Sequence, residues 1–184
     1  MIAVSVDAKK VSRKLQKLQD GLSHKQVASA LDSALQSTRA YSSRVARSFV
    51  NLKAKDVYKN ARTNTKGDLI LMYKTSGRQL KGYLYFTSAE RNIDFFGARK
   101  LKKGAAVTTW RNRGIQRYPS AWQMKKKPGS WFQRVGPKRL PFKALKGPSM
   151  AEVIEPVKIL ITDFAEERMG KEYMRKLRGI LARG

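Results

Sequence analysis

The side chains able to do covalent or metal chemistry are few and scattered. The single histidine, His24, directly follows Ser23 where a helix is expected to begin, and with no acid or nucleophile spaced to pair with it, it reads as a helix-end residue rather than a general base. Three carboxylates, Asp68, Glu90 and Asp94, lie close enough in sequence for a sheet to gather them around a magnesium ion, as a metal-dependent nuclease would require. Their spacing matches no ligand motif, and solvated turn acids are the simpler reading. The sequence has no phosphate-cradling glycine loop, no Walker-type motif and no nucleophile elbow, and with no cysteine it has neither a thiolate ligand nor a disulfide. The expectation is a protein that is not an enzyme and takes no cofactor and no metal.

Charge is the stronger signal. Lys and Arg number 40 against 13 Asp and Glu, a formal +27 over 184 residues. A chain so charged repels itself unless a polyanion or an acidic protein surface lies nearby. The excess is also segregated, because no acid occurs between Asp94 and Glu152 while residues 95–151 hold fifteen cations. Arg99, Lys100, Lys102, Lys103, Arg111, Arg113, Arg117, Lys125, Lys126, Lys127, Lys138 and Arg139 are the candidates for a surface facing DNA or a partner, with Arg134, Lys143 and Lys146 completing the count. The same stretch carries Phe95, Phe96, Trp110, Tyr118, Trp122, Trp131, Phe132 and Phe142. Either the aromatics form sheet core beneath a cationic face, or cations and aromatics together form a stacking surface for nucleic acid. No zinc-finger spacing or RNP-type strand is present, which argues against reading of base sequence.

A membrane is not the expected partner, since no stretch approaches the ~20 apolar residues of a span. The N-terminus MIAVSVDAKK turns polar too early for a secretory signal.

The elements that must carry the basic segment follow from periodicity. Residues 2–6, IAVSV, read as a strand, and Val11, Leu15 and Leu18 as the apolar stripe of a short helix ended by Gly21. Ser23 and Gln26 form a capping-box pattern, after which Val27, Leu31, Ala34, Thr38, Tyr41, Val45, Phe49 and Leu52 predict a helix of about seven turns from Ser23 to about Phe49. AKDVYKNAR adds a further turn or two before the TNTKGD loop. LILMY and GYLYF predict a hairpin, AAVTTW and SWFQRV further strands, and RNRG, KKKPG and GPS turns or loops. Pro137 and Pro141 favour extended backbone around KRL. Pro156 suits the first turn of a last helix that buries Val157, Leu160, Ile161 and Phe164. Glu167–Lys171 and Glu172–Lys176 are i,i+4 pairs on that helix, and Gly170 is a point where it could break. The fold expected is α+β: N-terminal helices and a C-terminal helix packed on a small antiparallel β-sheet, with extended basic loops. It is read as one domain over residues 1–184, mainly helical in 1–66, a basic sheet with loops in 67–150, and the last helix in 151–184.

Three segments carry a family resemblance: VARSFVNLKAKDVYKN, then IDFFGARKLKKGAAV, then SWFQRVGPKRLPFKALKGPSM. In order and texture, over roughly residues 8–182, the chain resembles the minor tail protein Z family of tailed phages and prophages. The resemblance implies a structural virion protein, a tail completion protein at the head-proximal end of the tail, acting in head-tail joining and DNA passage at the neck. It implies other tail or neck proteins as partners, a homo-hexameric ring in the virion, non-specific contact with genomic DNA, no membrane, and assembly in the host cytoplasm. A tail terminator or other neck-ring protein, or a sequence-independent nucleic-acid-binding protein, are the alternatives.

Overall fold

The longest periodic stripe in the sequence becomes the longest helix of the computed structural model, which describes residues 2–7, 24–57, 69–74, 81–124, 127–137 and 140–182. Helix α1 spans His24–Phe49, 26 residues, beginning one residue after the expected cap at Ser23. Its buried line runs through Ala30, Leu31, Ala34, Leu35, Thr38, Ser42 and Ala46. The hydroxyls on that line are not wasted: Thr38 Oγ1 donates to the Ala34 carbonyl and Ser42 Oγ to that of Thr38, both at 2.8 Å, so small polar residues pack without an orphaned donor. The expected stripe needs correction at its edges. Val27 and Val45 are half-buried, and Phe49 is 38% exposed, because the buried line drifts toward Leu35 and Ala46 along the helix. The expected helix around Val11–Leu18 lies outside the described residues, as does the capping contact of Ser23.

The architecture is α+β, and the chain divides into two compact units, each assembled from segments distant in sequence. Unit 1 comprises Met1–Ser42, Ile70–Phe86 and Ile154–Gly184, and unit 2 comprises Ser43–Leu69 and Thr87–Val153. These units cut across the divisions at 66 and 150 read from the sequence. Every strand pairing among the described residues is antiparallel.

In unit 1, β1 (Ile2–Asp7), β2 (Ile70–Lys74) and β3 (Lys81–Phe86) form a sheet in the order β1-β3-β2. The expected hairpin is β2–β3, in register Ile70 opposite Phe86 and Tyr73 opposite Tyr83. Alternation along β3 buries Gly82, Leu84 and Phe86 and leaves Tyr83 and Tyr85 partly open. Gly82 lies so close under α1 that a Cβ there would overlap Leu35, which is why a side chain is missing at this point of a strand. The last helix, α4 (Lys158–Leu181), runs against β1. Tyr41 of α1 stacks on Phe164 of α4 with ring centroids 4.1 Å apart.

Several expectations about α4 are corrected. Its buried line is Ile161, Ala165, Met169, Tyr173 and Leu177, a four-residue spacing that leaves Leu160 59% exposed. Gly170 does not break it, since one interior glycine costs only ~1 kcal/mol and the flanking turns are held by packing. Glu167 pairs with Lys171 as expected, but Glu172 is met by Arg175 at 2.6 Å and Arg168 at 3.8 Å rather than by Lys176. Pro156 lies in a 3-10 turn, Glu155–Val157, that leads into the helix. Before it comes a short helix, α3 (Met150–Ile154), which the GPS turn reading missed. Ser149 and Glu152 cap it reciprocally, Glu152 Oε2 accepting from Ser149 N at 2.9 Å and Ser149 Oγ from Glu152 N at 3.2 Å.

The described residues of unit 2 form two small sheets. One has the order β4-β5-β6, from Arg99–Lys100, Ala105–Val107 and Gln116–Tyr118. The other has the order β7-β8-β9, from Trp122–Met124, Lys127–Arg134 and Phe142–Ala144. The strand expected over AAVTTW stops at Val107, and Trp110 instead makes an isolated bridge to Val50. KKKPG is not wholly loop, since Lys127, Pro128 and Gly129 open β8, with Gly129 at φ +83° where a glycine is favoured. A single helical turn, α2 (Ala54–Val57), follows α1, and a 3-10 turn, Ile93–Phe96, precedes β4.

Candidate functional site

The basic segment is built into unit 2, which has 23 Lys and Arg against 5 Asp and Glu, a net +18 of the total +27. Many of its described cations are exposed on short strands and the turns beside them. Arg99 and Lys100 form β4, Lys102 and Lys103 the turn after it, and Arg117 the middle of β6 opposite Ala106; all five are exposed. Gly104 makes that turn possible at φ +92°, where a Cβ would collide with the Tyr118 carbonyl. Lys125, Lys126, Lys138 and Arg139 lie outside the described residues, and Lys127 is the first residue of β8. Among the described cations of 95–151, Lys146 is the one in an ion pair, with Glu90 at 3.0 Å.

Two of the nominated arginines have structural partners. Arg111 donates from Nε to the Arg47 carbonyl at 2.8 Å, and Arg113 lies over the Trp110 ring at 5.2 Å from its centroid. The stacking is repeated twice in unit 2, by Arg91 over Phe95 at 5.4 Å and by Arg134 over Trp122 at 6.0 Å. Arg91 and Arg134 were not among the nominated site residues. The spacing Phe132-Gln133-Arg134 held the clue, because residues two apart on a strand share a face.

The aromatics of the segment divide between the two readings the sequence left open. Phe96 and Trp131 are core, 1% and 2% exposed. Trp131 sits on one face of the β7-β8-β9 sheet, where its indole N–H donates to Asp94 Oδ1 at 3.2 Å. Asn92 holds the same residue by its backbone, accepting from Trp131 N at 2.9 Å and donating to Trp131 O at 3.0 Å. On the opposite face, the register sets Trp122 across from Phe132, and Arg134 across from Phe142. The three rings touch at 5.5–6.5 Å between centroids, and all three remain partly open to solvent. A pocket of about 520 Å³ at the β7 edge is lined by Lys100, Lys102, Trp122, Gln123, Met124 and Trp131.

The carboxylates weighed as metal ligands are placed differently. Asp68 lies outside the described residues, Glu90 is paired with Lys146, and Asp94 accepts from Trp131. Among the described residues, no three His, Asp or Glu side chains gather where they could hold a metal ion. No described helix is long and apolar enough to cross a membrane. No family model, curated protein or solved structure matches the chain.

Proposed function

We propose that the chain is a structural protein of a tailed-phage virion, of the tail completion class at the head-proximal end of the tail, and that unit 2 presents its basic surface there to a polyanion. The observation that carries this reading is the display of exposed cations around β4 and β6, in a segment with no acid of its own, within a unit of net +18. Such a surface is costly for a free protein, because the like charges repel one another, and gains energy beside DNA or an acidic protein ring. The family resemblance supplies the place, and it implies about six copies closing a ring. Copies with this charge should assemble on the tail or with an acidic partner rather than alone.

The test is the position of the chain in an image of the assembled particle, together with incorporation of a Lys100→Glu, Lys102→Glu, Lys103→Glu triple variant. Density for the chain at the neck and loss of incorporation in the variant are expected. A particle that lacks the chain, or a variant that assembles and infects normally, would sink this reading.

A second reading, a sequence-independent nucleic-acid-binding protein with no place in a particle, is favoured by the three arginine–aromatic stacks. It requires a steep fall of affinity with salt for the purified protein and absence from particles.

A further inference from the structure

The outward face of the β7-β8-β9 sheet does not behave as core. Its Trp122, Phe132 and Phe142 rings pack edge to face and stay partly open, while the core residue of the same sheet, Trp131, faces the other way. Phe142 is exposed and the two rings beside it are half-buried, an aromatic surface that an occupant could cover. The surrounding charge decides which: Arg134 lies over the Trp122 ring, Lys100 and Lys102 line the adjoining pocket, residues 95–151 contain no carboxylate, and Asp94 just before them accepts from the Trp131 indole.

We propose that this face, with the adjoining pocket, is a binding platform for single-stranded nucleic acid. One base would stack on the exposed ring of Phe142 and another would take the place of Arg134 over Trp122, freeing that guanidinium for the neighbouring phosphate. The pocket of about 520 Å³ falls within the roughly 300–1,000 Å³ of small-molecule sites, enough for one unstacked base. Trp122 belongs to both the ring cluster and the pocket lining, while Gln123 and Trp131 of that lining lie on the other face of the sheet, so a strand would reach the pocket by crossing the edge strand β7. A duplex hides its base faces, so the platform favours single strands, and because every base has a π-face it does so without reading sequence. The proposal narrows the polyanion of the proposed function to one class and rests on the basic surface described there, though not on its location in a virion.

The test is fluorescence anisotropy of a labelled oligothymidine of about twelve nucleotides, against a labelled duplex of equal length, across a salt series with purified full-length protein. The expected result is tighter binding of the single strand. Trp122→Ala should weaken single-strand binding about tenfold, the size of one lost base–aromatic stack, and leave duplex binding unchanged. Trp122→Phe should recover most of the loss, which separates stacking from misfolding, and Tyr73→Ala, an exposed ring in unit 1, should change neither. Equal affinity for both forms, or a Trp122→Ala protein that melts like the parent and binds the single strand as well, overturns the platform while leaving a purely electrostatic surface. Absence of binding to either form removes DNA as the polyanion of the proposed function as well.

Discussion

Arg111 closes the end of helix α1: its Nε donates to the Arg47 carbonyl and its backbone N–H to the Phe49 carbonyl, each at 2.8 Å. One cation of the basic segment is thereby committed to a helix terminus, where positive charge offsets the carbonyl end of the dipole. Arg111→Ala should lower stability by about 1 kcal/mol in urea unfolding. Lys102→Ala and Lys103→Ala, exposed on a turn, should change it by no more than about 0.5 kcal/mol. Equal effects would mean that the two kinds of cation do the same work.

Asn92 gives a sharper case, because its amide replaces a strand partner for the backbone of Trp131 while its Oδ1 also accepts from Asp94 N at 3.3 Å. Asn92→Ala leaves the Trp131 N–H without that partner, and the expected loss is on the order of 1–3 kcal/mol. The near-ultraviolet circular dichroism of the tryptophans should weaken with it. An unchanged spectrum and melting curve would show that the clamp is dispensable.

Leu31 and Phe49 share one apolar stripe in the sequence, yet they should respond oppositely. Leu31 is fully buried, so Leu31→Asp should leave the protein insoluble or unfolded. Phe49→Asp, at an exposed ring, should express as a soluble protein that melts cooperatively. The comparison is a solubility assay followed by thermal melting.

Tyr173 is 1% exposed, and its hydroxyl finds no hydrogen-bond partner among the described residues. Burial raises the phenol above its ordinary value of 10.0. The folded protein therefore keeps this proton to higher pH than the unfolded chain does. The contribution is fully present below pH 10 and is lost as pH rises from there through the raised folded value. Tyr173→Phe should be neutral or slightly stabilising at pH 7, since it removes an unsatisfied donor, and should flatten the alkaline loss. Urea midpoints between pH 8 and 11 would check both parts, and a destabilised Phe variant at pH 7 would reveal a missed partner.

Periodicity revealed α1 because 26 residues repeat the pattern many times over, and the β2–β3 hairpin because its strands are five and six residues long. Strands of two or three residues, such as β4, β6, β7 and β9, carry too little alternation to be told from loop. Ser149 and Glu152 did show a capping-box spacing, but Gly147 and Pro148 beside them drew the reading toward a turn. For the candidate site, composition alone exposed the acid-free run. Which aromatics face outward depended on the register of β7, β8 and β9, which pairs residues across turns that a one-dimensional pattern does not specify.

The interleaving of the two units sets the order in which they can form as the chain is synthesised. Unit 2 has all its segments once residue 153 has been made, whereas unit 1 still needs α4 to run against β1, made more than 150 residues earlier. Strand β1 can pair with β3 once residue 86 has been made, but it stays uncovered by α4 until the last helix follows. Slowing translation before residue 154 should then raise aggregation, and a chain released there should carry a folded unit 2 and a unit 1 sheet that lacks α4.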